Sequence, residues 1–151
     1  MTNFQVFVSY SQLSVFDASL TNPFNRWTSA HVAQGFCWRP GSVSFNTLAE
    51  SGKCNVELLE ERTEVSLSPS SIRVIEVPFE VPSTGVIEVA SISDGQRVRL
   101  APGPHALRFE ALSELAIRFV FIKGRESRFS ILRADSNLAP TYPLLETAEP
   151  A

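Results

Sequence analysis

The chain has 151 residues, of which 44% are hydrophobic and 19% are charged, and its formal net charge is −3. This is enough apolar sequence for one continuous core, so the chain is expected to fold without disulfide or metal support. The mild acidity argues against a dedicated nucleic-acid binder, which is usually basic, and no apolar run approaches the roughly 18 residues that span a bilayer.

Alternation of apolar and polar residues predicts strands along most of the chain. The first prediction begins at Phe4 with one apolar face, and Leu13, Val15 and Phe16 continue the extended pattern toward Asp17. The full set of predicted strands comprises residues 4–10, 13–17, 42–45, 55–60, 72–81, 86–92, 97–101, 105–112, 115–122 and 128–133.

Short turns separate the predicted strands after residue 72. The turn residues are Thr84-Gly85, Asp94-Gly95, Pro102-Gly103-Pro104 and Lys123-Gly124. A parallel sheet needs connections of about a dozen residues between strands, and residues 72–133 leave no room for them. The sequence therefore predicts a mainly β protein, an antiparallel β-sandwich. Pro78 lacks an N–H to donate, so it predicts an edge or a bulge within the strand that contains it.

One short helix is predicted near residues 28–35. Thr28 is an acceptable N-cap, Ser29–Gln34 forms about two turns, and Gly35 supplies a C-terminal stop. A helix of this length is marginal alone and must pack on the body of the protein. The side chains expected to do so are Trp27, Val32 and Phe36.

The organisation along the chain predicts a single β-sandwich domain over residues 1–135. Residues 136–151 contain three prolines and no periodic pattern, which predicts a loosely ordered C-terminal tail. Within that tail, Tyr142 and Leu144-Leu145 are the apolar residues expected to touch the body.

The histidines and cysteines give no pattern of a catalytic or metal site. His31 and His105 lie far apart, and Cys37 and Cys54 have no metal-ligand spacing. We expect no metal, no cofactor and no enzymatic activity. An enzyme assembled from distant residues would need a nucleophile or a carboxylate within hydrogen-bond reach of one histidine. Reduced cysteines and an N-terminus without a signal-peptide pattern predict a cytoplasmic protein.

The charges are unevenly distributed. Residues 46–94 contain nine acidic and three basic residues, whereas residues 95–134 contain eight basic and three acidic residues. Two explanations are open. The opposite charges pair across neighbouring strands, or an acidic surface is kept for a basic partner. A nuclease is a natural basic partner because its cleft attracts phosphates.

The arginines of residues 97–133 are interleaved with phenylalanines, which raises the alternative of a nucleic-acid surface. These phenylalanines fall on the apolar faces of the predicted strands, as core residues do. They are Phe109, Phe119, Phe121 and Phe129. We therefore predict no direct nucleic-acid contact.

The most distinctive stretch runs from Val8 to Phe45. Its most specific part, from Trp27 to Phe45, reads W-x-x-x-H-x-x-Q-G-F-x-W-R-P-G-S-V-S-F. This string resembles the competence protein J family. The resemblance implies a small cytoplasmic protein that binds a bacterial DNase, either a DNA-entry nuclease or a toxin nuclease. Such a protein blocks its target by occlusion, as an inhibitor or immunity protein. The string identifies no inhibitory residues.

Partner contacts are predicted at an acidic group and two anchors. The acidic group is Glu57, Glu60, Glu61 and Glu64, and the anchors are Trp38 and Arg39. Tryptophan and arginine are enriched among interface hot spots. A structural role is equally open for both anchors, since Trp38 can hold the helix on the sheet and Arg39 can enter a turn.

Two further alternatives are left open. One is a sandwich that binds a small ligand or a carbohydrate, which would show a row of exposed aromatic side chains in a concave face. The other is a homodimer that forms by pairing of an exposed edge strand.

Overall fold

Eleven strands and one helix follow one another along the chain, and the computed structural model describes all residues 1–151. The elements are β1 (Thr2–Val8), β2 (Gln12–Asp17), α1 (Ser29–Gln34), β3 (Phe36–Arg39), β4 (Ser42–Asn46), β5 (Gly52–Glu61), β6 (Arg73–Val81), β7 (Val86–Ala90), β8 (Gly95–Arg99), β9 (Gly103–Ser113), β10 (Ala116–Lys123) and β11 (Ser130–Arg133). The structure offers no helix with the length and apolar character needed to cross a bilayer.

The strands form two sheets. One has six strands in the order β1-β5-β10-β9-β6-β11, and the other has five in the order β3-β4-β2-β7-β8. The predicted mainly β fold with one short helix is confirmed. One pair, β5 with β10, is parallel. The chain between these two strands passes through both sheets, so it supplies the long connection that a parallel pair requires.

The hydrophobic core lies between the two sheets. The ring of Phe45 on β4 stacks on Phe109 of β9 with centroids 4.7 Å apart, and Phe119 of β10 lies 5.8 Å from Phe109. All three side chains are fully buried, as is Phe121. The assignment of these phenylalanines to the core is confirmed, and only Phe129, which packs on Trp38, is partly exposed.

The helix forms where the sequence predicts it. Thr28 is the N-cap, and its backbone N–H donates to His31 Nδ1 at 3.1 Å, while the His31 N–H bonds to Thr28 Oγ1. Histidine thus takes the place of the usual glutamate of a capping box. Gly35 ends the helix with a φ of 87°. Val32 differs from its prediction, because its side chain is 49% exposed.

Gly35 provides a direct test of how the helix packs. A Cβ at this position would lie 3.0 Å from both Ile75 Cδ1 and Leu138 Cδ2. Gly124 also has a positive φ, but a Cβ there would meet nothing within 4 Å. We expect Gly35→Ala to lower the free energy of unfolding by about 2–4 kcal/mol and Gly124→Ala by about 1 kcal/mol. Denaturant titration of both variants measures the difference, and equal losses would contradict the packing explanation.

Strand β3 was not predicted, because Arg39-Pro40-Gly41 suggested only a turn. The structure places that turn between β3 and β4, with Gly41 at a φ of 82°. Pro78 behaves as predicted. On one side of β6, β11 pairs only with Val74, Ile75 and Glu76, so the strand is an open edge at Pro78.

Irregular segments cover the outer faces of both sheets. On the six-stranded sheet, Val65 packs against Ala106, Val120 and Ile122. On the five-stranded sheet, Asn25 is 3% exposed and its Nδ2 donates to the carbonyl of Cys37 at 3.2 Å. We call the covering segments the 62–71 strap and the 18–28 strap.

The C-terminal segment 136–151 has no regular secondary structure, but it contacts the helix at several points. Gln34 Nε2 donates to the Leu145 carbonyl at 2.9 Å, and the Leu145 N–H donates back to Gln34 Oε1 at 2.9 Å. Leu138 and Leu144 are buried, whereas Tyr142 is 66% exposed. These contacts join the segment to the body of the protein, while its loose order stays a prediction. Hydrogen bonds to backbone groups leave no periodic signal in a sequence. The domain boundary at residue 135 stays a prediction.

Candidate functional site

The four glutamates of the predicted acidic group do not share one surface. Glu57 and Glu61 alternate with the buried Val56 and Leu58 on β5, so both lie on the outer face of the six-stranded sheet. Glu60 lies on the opposite side of the strand, at its end. Glu64 belongs to the strap that follows.

Glu60 is engaged within the fold. Its Oε2 accepts from the Ala101 N–H at 2.9 Å and lies 3.2 Å from Nε2 of His105. His105 is 1% exposed, and its other ring nitrogen donates to the Gly103 carbonyl at 2.9 Å. Glu60 therefore holds the connection between β8 and β9.

Glu64 belongs to a network of three glutamates and three arginines beneath the 62–71 strap. At its centre, fully buried Glu110 accepts from Arg108 Nε at 2.8 Å and from Arg118 Nη2 at 2.9 Å. Arg108 Nη1 lies 3.3 Å from Glu64 Oε1. Arg125 donates to Glu64 and, at 2.6 Å, to Glu76. The members of this ion network, which is buried at Glu110 and Arg108 and exposed at Glu64, are Glu64, Glu76, Arg108, Glu110, Arg118 and Arg125.

The two charged regions of the sequence thus pair with each other in the structure. Burial raises the pKa of Glu76, while a hydrogen bond from Ser127 and the charge of Arg108 oppose that rise. Elsewhere, Arg73 donates a bidentate hydrogen bond to Asp135, with distances of 2.6 and 2.9 Å. This bond lowers the pKa of Asp135. Of the two explanations for the uneven charge, pairing accounts for part of it, since Glu64, Glu76 and Glu88 are the acidic residues of 46–94 that pair with an arginine of residues 95–134.

The two predicted anchors also make contacts within the fold. Trp38 Nε1 donates to the Pro78 carbonyl at 2.7 Å, and the ring meets Phe129 edge to face at 5.1 Å. Arg39 Nε donates to Asn25 Oδ1 at 2.6 Å and so fastens the 18–28 strap.

The anchors and the acidic group are not brought together. Trp38 bonds to β6, and two strands, β9 and β10, lie between β6 and β5, a separation of roughly 14 Å. Trp38 and Arg39 are also adjacent on β3 and so point to opposite faces. Of the predicted acidic residues, Glu57 and Glu61 take part in no ion pair.

The side chains able to carry out acid–base or thiol chemistry have structural partners. His31 is 3% exposed, with Nδ1 beside Thr28 and Nε2 2.9 Å from the Thr147 carbonyl. His105 has a carboxylate within reach, but both its ring nitrogens have partners, and neither partner is a nucleophile. Burial raises the pKa of Cys37 to about 12 and that of Cys54 to about 11, so both thiols stay protonated.

A cleft of about 470 Å³ opens where β1, β5, β9 and β10 meet. Its walls are Asn3, Phe4, Gln5, Asn55, Val56, Glu57, Leu112, Ala116 and Ile117. Phe4 is the one aromatic residue among them. The cleft therefore lacks the row of aromatic side chains expected of a carbohydrate-binding face. No group of three or more histidine, cysteine or acidic side chains is placed to hold a metal ion.

One end of the sandwich, which we call the hairpin end, gathers four turns: residues 9–12, 47–51, 91–94 and 113–115. The Ser11 N–H donates to the Glu50 carbonyl at 2.9 Å, and the hydroxyls of Ser9 and Ser93 lie 3.4 Å apart. The fourth turn lies beside the start of β5, because the Leu115 carbonyl accepts from the Asn55 N–H at 2.9 Å and a Cβ on Gly52, which follows the second turn, would lie 2.9 Å from Leu115 Cδ2.

The hairpin end combines exposed apolar side chains with acidic ones. Tyr10 is 75% exposed, and Val32 of helix α1, which lies beside Tyr10 but outside the four turns, is 49% exposed. Glu50, Asp94 and Glu114 are exposed and take part in no ion pair. The four turns contain no lysine or arginine.

Sequence reasoning did not single out the hairpin end. Tyr10 was predicted to end the first strand, because Tyr10-Ser11 contains none of the glycine or asparagine residues that mark a tight turn. Glu50, Asp94 and Glu114 lie in three different parts of the sequence, so only the fold brings them to one end. The signal in the sequence that could have pointed to the hairpin end was Tyr10, a tyrosine at the junction of two predicted apolar strands.

Comparisons with known proteins identify relatives of the chain. The family model for competence protein J (ComJ) matches residues 5–122. Among solved structures, the chain is similar to the crystal structure of ComJ, inhibitor of the DNA degrading activity of NucA, from Bacillus subtilis. That match has a TM-score of 0.69 and 20% sequence identity, and it covers 81% of this chain and 95% of that one. No curated protein sequence matches the chain significantly.

Proposed function

We propose, from the premise that the chain belongs to the competence protein J family, that it binds a bacterial DNA-degrading nuclease and inhibits it. The family match over residues 5–122 carries this proposal. The fold shared with ComJ of Bacillus subtilis, described as an inhibitor of the DNA degrading activity of NucA, supports it.

The proposed inhibition works by occlusion rather than by chemistry. A nuclease cleft must have a positive potential to hold phosphates, and an acidic protein surface is attracted to the same potential. Complementary charge accelerates association and makes it sensitive to salt. An inhibitor of this kind acts stoichiometrically, because each bound molecule covers one cleft.

A titration tests the proposal. DNA degradation by purified NucA, and by the nuclease of the source genome that is most similar to it, is followed at rising molar ratios of this protein. We expect activity to fall linearly to an endpoint near one inhibitor per nuclease, and the complex to weaken as salt rises. An unrelated nuclease is the control and should stay active. Undiminished digestion by both target nucleases at a large excess of this protein would contradict the proposal.

The residues that contact the nuclease remain a hypothesis. Of the contacts predicted from the sequence, Glu57 and Glu61 have no ion-pair partner, whereas Glu60, Glu64, Trp38 and Arg39 hold parts of the fold together. The cytoplasmic location and an immunity role also stay predictions. The immunity role would be tested by the survival of cells that produce this protein and are exposed to a toxin nuclease delivered by other cells.

A further inference from the structure

We propose that the hairpin end is the surface that docks on the nuclease, with Tyr10 as its anchor. This inference rests on the proposed function, and it names the surface and the part of the partner that the surface meets. The occupant is the positively charged, phosphate-binding surface of the nuclease.

The apolar part of this surface is a hollow beside Tyr10. The hollow has a volume of about 350 Å³ and is lined by Tyr10, Ser11, Trp27, Val32 and Asn46. Trp27 is held in place because its Nε1 donates to Gln12 Oε1 at 3.1 Å. Tyrosine and tryptophan are, with arginine, the side chains enriched among interface hot spots. An exposed tyrosine at the rim of a hollow with a fixed tryptophan matches that composition.

The charge around the hollow identifies the occupant. Glu50 and Glu114 are exposed on turns of the hairpin end, as is Asp94, whose carboxylate accepts from the N–H groups of Phe7 and Gly95. Those turns contain no basic residue, and the nearest one along the chain is Lys53 on β5. At the opposite end of the sandwich, Glu61 shares its surface with Arg62 and Lys123, so acidic and basic charges are mixed there. The hairpin end is therefore the surface that complements a positively charged nuclease cleft.

The conformation of the hairpin allows binding to be separated from folding. Tyr10 and Ser11 have φ values of 54° and 56°, which is the geometry of a two-residue type I′ turn. Asn-Gly is the sequence that this turn favours, and non-glycine residues are strained in it. Replacing Tyr10-Ser11 by Asn-Gly should therefore leave the fold as stable as before or more stable.

The first test is the double variant Tyr10→Asn/Ser11→Gly. We expect it to unfold at the same temperature as the wild type or higher, and to inhibit the nuclease about thirtyfold more weakly, the loss typical of a hot-spot side chain. Tyr142→Asn is the matched control, since Tyr142 is 66% exposed on the C-terminal segment. It should inhibit like the wild type. Wild-type inhibition by the hairpin variant would overturn the proposal.

The second test compares two charge reversals of equal size. Glu50→Lys/Glu114→Lys should slow association with the nuclease and reduce its salt dependence, whereas Glu57→Lys/Glu61→Lys should change both less. A larger effect from the second variant would place the contact on the outer face of the six-stranded sheet and overturn the proposal.

The remaining outcomes are also distinguishable. If the wild type itself fails to inhibit the target nucleases, the proposed function is wrong and this inference is wrong with it. If the hairpin variant inhibits normally but loses a dimer that the wild type forms in gel filtration, the hairpin end serves self-association, which also overturns the inference.

Discussion

Glu110→Gln is expected to lower the free energy of unfolding by about 3 kcal/mol. The carboxylate is fully buried and accepts hydrogen bonds from Arg108 and Arg118 and from the Ser68 N–H at 3.0 Å. Glutamine has nearly the same volume, but it removes the one carboxylate paired with Arg118 and the nearer of the two paired with Arg108. Arg108 is 2% exposed and cannot turn to water without moving the 62–71 strap.

Denaturant unfolding measures this loss, and Glu126→Gln is the control because Glu126 is exposed and takes part in no ion pair. The control should change stability by less than about 0.5 kcal/mol. A double-mutant cycle with Arg108→Met should show strong coupling, since the two residues share one network. A loss for Glu110→Gln as small as that of the control would show that the network does not stabilise the fold.

Phe109→Ala is expected to cost about 3–5 kcal/mol. Phe109 is fully buried, and its ring touches Phe45 of the five-stranded sheet and Phe119 of its own sheet. Alanine would leave a cavity between the two sheets that these aromatic rings cannot close without shifting the strands.

The control for this substitution is Phe7→Ala, because Phe7 is 47% exposed on the edge strand β1. It should cost about 1 kcal/mol. Thermal and denaturant unfolding of both variants give the comparison. Similar losses for Phe7 and Phe109 would mean that the contact between the sheets is not the main source of stability.

Local patterns were enough to predict much of the fold. Alternation of buried and exposed residues, set by the two-residue period of a strand, located ten of the eleven strands. Thr28 and Gly35 bounded the helix because cap chemistry is local to the helix ends. The edge position at Pro78 followed from its missing N–H.

The string from Trp27 to Phe45 was distinctive because it builds structure. His31 completes the capping box, Gln34 binds the C-terminal segment, and Arg39 fastens the 18–28 strap. Because these roles are structural, the string identifies no contact residues. The resemblance led to the family, whereas the composition of the hairpin end led to the proposed docking surface.

Which glutamates of the predicted acidic group are paired could not be predicted, because their partners are distant in sequence. Glu64 meets Arg125, and Glu60 meets His105, only because β5 lies beside β10 and β10 beside β9. A glutamate-rich segment looks the same in sequence whether its charges are free or paired. The predicted acidic group was therefore split, with Glu60 and Glu64 in ion pairs and Glu57 and Glu61 in none.

The sequence by itself determined the fold class, the helix and its caps, the core phenylalanines and the family, since each depends on local period, cap chemistry or a contiguous string. Only the tertiary structure decided which strands share a sheet, that β5 and β10 run parallel, and how the C-terminal segment is held. It also decided where the uneven charge, which the net value of −3 conceals, is neutralised and where it stays free. The reason is that charge pairing and surface composition depend on long-range neighbours, which strand order fixes and local patterns do not encode.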